Sequence, residues 1–171
     1  MSVGNRVALG DEPHSLPTRD DPERPSRELA AIAGTYVAGV ALASYLARGR
    51  PLPRIAPYDL ALLGLATHKV SRRISKDSVT SPFRAPFADV RGPEGPGEVE
   101  QRVRGHGLRR AVGELITCPF CIGQWVATAF VFGLVFAPRA TRLAAGVFAT
   151  AAIADFLQFG YATAERAAEG G

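Results

Sequence analysis

Cysteine is scarce, with two residues in a chain of 171. That excludes the disulfide framework on which many small secreted folds depend. Aromatic residues make up only 8% of the chain although hydrophobic residues make up 47%, so the apolar mass is mainly alanine, leucine and valine. No cleavable leader is visible either, because residues 1–28 lack an apolar core and carry Asp, Glu, Arg and Pro throughout. The first apolar run is therefore expected to persist as an anchor. Residues 1–28, broken by Pro13, Pro17, Pro22 and Pro25, have nothing to bury and are read as a disordered tail.

Negative charge is in slight deficit. The formal charge is +4, and the cations are nearly all arginine. Such an excess suits a nucleic-acid binder or a membrane protein with a basic cytoplasmic face. No recognised module or aromatic platform accompanies the arginines, which argues against nucleic acid. Mean hydropathy is +0.06, an average that hides a sharply segregated chain. Polar tails and one polar loop dilute long apolar segments.

Residues 29–47 carry no charge, and about 19 helical residues suffice to cross a hydrocarbon core of about 30 Å. Ala30, Gly34 and Ala38 recur on one face, the small-residue pattern that lets membrane helices approach closely. Tyr36 and Tyr45 are read as packing or interfacial residues. After a basic turn over residues 48–54, a second apolar stretch covers residues 55–66, with Asp59 in its first turn, where a carboxylate suits the helix dipole. The helical pattern continues to Lys76 and places Lys69, Arg72, Arg73 and Lys76 on one face. This segment fits either a short fourth span or an interfacial helix, and a short fourth span is the expectation. Its basic stripe reads first as cytoplasmic positive charge, and second as a contact for acidic lipid or phosphate. Asp77 is placed to pair with Arg73 or to close the helix.

Residues 77–113 form the expected polar cytoplasmic loop. Within it, residues 87–91 and 98–104 flank a Gly/Pro cluster and suggest a small hairpin. Leu108, Ala111, Val112 and Leu115 share a helical face. A third span is expected over Pro119–Phe136 and a fourth apolar helix over residues 141–164, with a short tail at 165–171. The domain scheme is thus a tail at 1–28, a helical membrane domain at 29–164 and the C-terminal tail. The fold class is an all-α membrane protein, a bundle of three to four transmembrane helices.

Asp155 lies near the middle of the last helix. A carboxylate there costs about 2.5–3.5 kcal/mol, and seven large apolar residues return about 0.3–0.6 kcal/mol each. The helix should therefore rely on its neighbours, with Asp155 facing inward. An antiparallel hairpin of the last two helices would pair Gln124 with Asp155 and Cys121 with Gln158, giving a buried polar seam.

Three segments carry a resemblance. They are Ala66-Thr67-His68-Lys69-Val70-Ser71-Arg72-Arg73-Ile74-Ser75-Lys76-Asp77, Ser81-Pro82-Phe83-Arg84-Ala85-Pro86-Phe87, and Gly113-Glu114-Leu115-Ile116-Thr117-Cys118-Pro119-Phe120-Cys121-Ile122-Gly123-Gln124-Trp125. Together they resemble the bacterial family known as domain of unknown function 1360, over roughly residues 55–161. The combination of the basic-Asp and the Cys-Pro-aromatic-Cys-x-Gly-x-Trp signatures is specific. The resemblance implies a small integral membrane protein without an assigned activity, and it supplies no catalytic residues.

Three functions are weighed. The first is a non-enzymatic envelope or assembly component of the bacterial inner membrane. Its partners would be the bilayer, anionic headgroups, and a second copy or another membrane protein, with no cofactor. The second is a membrane dithiol, with Cys118 as nucleophile and Cys121 as resolving thiol at a helix N-terminus. The third is a zinc site from His68, His106, Cys118 and Cys121, whose spacing lacks paired knuckles. Transport through the Asp155 seam is left as the remainder.

Overall fold

The computed structural model describes residues 26–169. The tail expected at residues 1–28 falls outside them, except for the last three residues, which open the first helix. Six helices and one hairpin follow in order: α1 (Ser26–Ala47), α2 (Pro57–Ser75), α3 (Ser81–Arg84), β1 (Ala88–Gly95), β2 (Glu98–Val103), α4 (Gly107–Thr117), α5 (Pro119–Phe136) and α6 (Pro138–Glu169). The chain is mostly helical, but the two-stranded sheet corrects the all-α expectation. The polar loop is likewise built of α3, the hairpin and α4. The Gly/Pro cluster does make the turn, at Pro96-Gly97, where Gly97 takes a positive φ of 74°.

Three helices are long and apolar enough to cross a membrane, by length and composition: Arg27–Ala47, Pro119–Phe136 and Pro138–Glu169. α6 continues through the expected tail to Glu169. Its 32 residues give a rod of about 48 Å, longer than a hydrocarbon core of about 30 Å. α2 fails the composition test because half of it is polar, yet its 19 residues extend about 28 Å.

α2 is the centre of the helical body. It packs against both α5 and α6 more extensively than those two pack against each other. Leu63 and Ala66 of α2, Leu134 of α5 and Ala145 of α6 form the buried cluster, flanked by Leu62, Phe130 and Phe148. Small residues make this approach feasible, since Ala66, Ala145, Ala149 and Ala152 are all buried. α5 and α6 are joined by Ala137 alone, and a Cβ on Gly133 would stand 2.7 Å from Thr141 Oγ1, so that corner closes only over glycine.

Directions follow from the contacts. Asp59 meets Arg142 and Lys69 meets Asp155, so α2 and α6 run the same way. Tyr36 meets Thr128 and Trp125, while Arg50 lies over Phe136, so α1 and α5 run together in the opposite sense. The body therefore has a hairpin end, carrying α3, β1, β2 and α4, and a turn end, carrying residues 48–56 and the α5–α6 corner.

Candidate functional site

Two ion pairs tie α2 to α6. At the turn end, Asp59 is 4% exposed and accepts from Arg142 Nε at 2.9 Å and Nη2 at 3.1 Å. The same carboxylate accepts from the Ala56 backbone N–H, so it caps α2 while holding α6. Such a bidentate guanidinium contact is directional as well as strong. Nearer the hairpin end, Lys69 is paired with Asp155. A third polar contact joins α1 to α5: Gln124 Nε2 donates to Tyr36 Oη at 2.8 Å, and Tyr36 shares a 2.8 Å hydrogen bond with Thr128.

These contacts correct the expected seam. Gln124 and Asp155 are not bonded to each other, because α2 stands between α5 and α6. Each residue is met by another helix instead, Gln124 by α1 and Asp155 by α2. Gln158, expected opposite Cys121, is exposed.

The basic stripe on α2 is likewise committed within the chain. Besides Lys69, Arg72 pairs with Glu98, with Nε 2.9 Å from Oε1. Lys76 reaches Glu94 at 2.6 Å, and Arg73 lies 3.5 Å from Asp77, the i,i+4 partner expected from sequence. The stripe thus ties α2 to the hairpin and to α6. Backbone bonds reinforce this docking: Val99 N–H donates to Lys76 O and Ser78 N–H to Gly97 O.

Arg84 fixes the junction from within. It is 2% exposed and donates to Gln101 Oε1, Ile74 O, Asp77 O and Thr80 Oγ1. Ile74 belongs to the last turn of α2, where carbonyls lack helical partners and the dipole favours a cation. Burial pushes the guanidinium below its ordinary value, against the pull of Asp77, but an arginine stays charged at any physiological pH. Gly113 then lets α4 close on the hairpin, since a Cβ there would come within 2.6 Å of Val103 Cγ1 and 3.2 Å of Phe87 O.

Both cysteines are free thiols at the α4–α5 junction. Cys118 is the N-cap of α5, its sulfur accepting from Cys121 N–H at 3.2 Å, and Pro119 follows at the first helical position. Cys121 is exposed. The zinc alternative does not assemble. His68 stacks on Phe156 with centroids 5.6 Å apart, and His106 sits at the start of α4. Among the described residues no group of three or more His, Cys, Asp or Glu is placed to hold a metal.

A family model described as "Protein of unknown function (DUF1360)" matches residues 62–161, more than half of the chain. The chain belongs to this family. Its DUF1360 region runs from within α2 to near the end of α6, leaving α1 outside. The "Sporulation protein YjcA" of Bacillus subtilis (strain 168) is 26% identical over 102 residues, covering 58% of this chain and 86% of that protein. No solved structure matches. The three sequence segments that resemble DUF1360 converge in space. The end of α2, the Ser81–Arg84 turn and the start of α5 meet where Arg84 bonds Ile74 O and Gly123 faces Ser71.

Sequence reasoning missed Arg84 and Arg142 as partners and read Tyr36 only as a packing or interfacial residue. Arg84 had no signal beyond its place in a quoted segment. Tyr36 and Arg142 are polar or charged groups in apolar helices, and that alone marks a residue as needing a partner.

Proposed function

We propose that this protein is an integral component of the bacterial cytoplasmic membrane with a non-catalytic, architectural role in envelope assembly. In this reading α1, α2, α5 and α6 cross the bilayer and the hairpin end forms a compact cytoplasmic cap. One observation carries it: the polarity of the helical body is inverted relative to a water-soluble bundle. Val37, Leu42, Leu143, Val147 and Leu157 are each 60% or more exposed, while Asp59–Arg142 and Lys69–Asp155 lie between helices. Lipid solvates such an apolar rim, and in lipid the few charges must pair with one another. The orientation rests on the excess of Lys and Arg at the hairpin end, which the positive-inside rule assigns to the cytoplasm. The relative named for sporulation suits an assembly role of this kind.

Fractionation tests the proposal. The chain should stay in the membrane pellet through alkaline carbonate extraction and enter solution only with detergent. A monodisperse chain in detergent-free buffer would refute it.

A second reading, a dithiol active at the membrane surface, is favoured by the Cys118 cap. The Cys118 sulfur accepts the Cys121 N–H at the N-terminus of α5, three positions from the second free thiol. Cys118 thiolate would attack a partner disulfide, expelling one partner thiolate, and Cys121 would then displace the second, leaving the chain oxidised and the partner reduced. Cys121→Ser should trap the mixed disulfide. If nothing is trapped and both thiols stay reduced under oxidant, the reading fails.

A further inference from the structure

At the turn end the charge pattern differs from that at the hairpin end. Arg48, Arg50, Arg54, Arg139 and Arg142 cluster around residues 48–56 and the α5–α6 corner, and among the described residues the only carboxylate there is Asp59. Arg48 lies over the Tyr45 ring at 3.7 Å and Arg50 over the Phe136 ring at 5.0 Å. Arg54 makes no hydrogen bond or ion pair among the described residues. Three of these arginines, Arg50, Arg54 and Arg142, line a cavity of about 590 Å³ whose remaining wall is apolar, including Leu134, Phe136 and Pro53. Leu134 is fully buried at its floor.

We infer that this cavity binds the phosphate of an anionic phospholipid in the leaflet facing the turn end. The inference rests on the membrane reading above, which puts the cavity at headgroup depth. Asp59 neutralises one of the three guanidiniums and fixes its direction. Two positive charges remain for a ligand, and guanidinium is suited to bidentate phosphate recognition. Stacking on Phe136 holds Arg50 beside the cavity. Pro51, Pro53 and Pro57 fix φ through the turn, so less backbone freedom is lost when a ligand is held. α5 contributes Leu134, Val135 and Phe136 to the apolar wall, against which acyl chains would lie. A soluble anion would gain nothing from that wall, which is why a lipid is the occupant.

The test uses the full chain purified in a zwitterionic detergent, with native mass spectrometry counting retained lipid. Phosphatidylglycerol should be retained at least tenfold better than phosphatidylcholine. The double variant Arg50→Gln/Arg54→Gln should lose that preference, whereas Arg91→Gln/Arg102→Gln, with the same charge change at the hairpin end, should keep it. Equal losses in both variants, or none in either, would overturn the assignment. Displacement of phosphatidylglycerol by equimolar inorganic phosphate would also overturn it, assigning the site to a soluble anion. Carbonate-resistant membrane retention of the cavity variant separates failure of this inference from failure of the membrane reading.

Discussion

Lys69→Leu removes one half of the ion pair between α2 and α6 and leaves the Asp155 carboxylate facing an apolar side chain. Breaking a buried pair from one side costs about 3–5 kcal/mol. The Lys69 side chain is 15% exposed and that of Asp155 41%, so the lower end of that range, ~3 kcal/mol, applies. For a chain of this size ~3 kcal/mol corresponds to a fall of roughly 6–12 °C in Tm. The double variant Lys69→Leu/Asp155→Leu removes both charges and should return to within about 1 kcal/mol of the parent. Thermal unfolding in detergent, followed by the fluorescence of the single tryptophan, Trp125, provides the assay, because its ring packs edge-on against Tyr36 at 5.2 Å. A double variant as unstable as the sum of its singles would refute the pairing.

Two further substitutions probe the hairpin end. Arg84→Met should strip the hydrogen bonds on Ile74 O, Asp77 O, Thr80 and Gln101, at about 1–3 kcal/mol for each buried acceptor left unpaired. Limited proteolysis should then cut within residues 85–106 at least tenfold faster while the four long helices stay protected. Gly113→Val should force α4 away from Val103 and Phe87, at about 1–3 kcal/mol of overpacking strain. The same melting assay should show the loss, and an unchanged midpoint would contradict the close approach.

Much of the helical framework was legible because charge-free runs and prolines mark it directly. α5 begins at Pro119 and ends at Phe136 as its sequence suggests, with Pro138 opening the next helix. The hairpin too was signalled by its Gly/Pro cluster, although its strands reach closer to the turn than the cluster implied. What sequence could not show is which helix lies beside which. The expected Gln124–Asp155 pairing came from matching depths on two helices adjacent in the chain. Insertion of α2 between them, from some 60 residues upstream, redirected both groups. The partners of the basic stripe were hidden for a related reason: Glu94, Glu98 and Asp155 lie 18, 26 and 86 residues from the cations they meet. Helical periodicity locates a charged face but carries no information about distant carboxylates that come to meet it.

The proposed crossing of α2 can be read directly by labelling single cysteines from one side of the membrane. Leu52 at the turn end is 81% exposed and Val79 at the hairpin end is 75% exposed, so Leu52→Cys and Val79→Cys, each in a background with Cys118 and Cys121 replaced by serine, report on opposite ends of that helix. In intact cells an impermeant maleimide should label Leu52→Cys but reach Val79→Cys only after permeabilisation. Equal labelling of both positions from outside, or of neither, would mean that α2 does not cross.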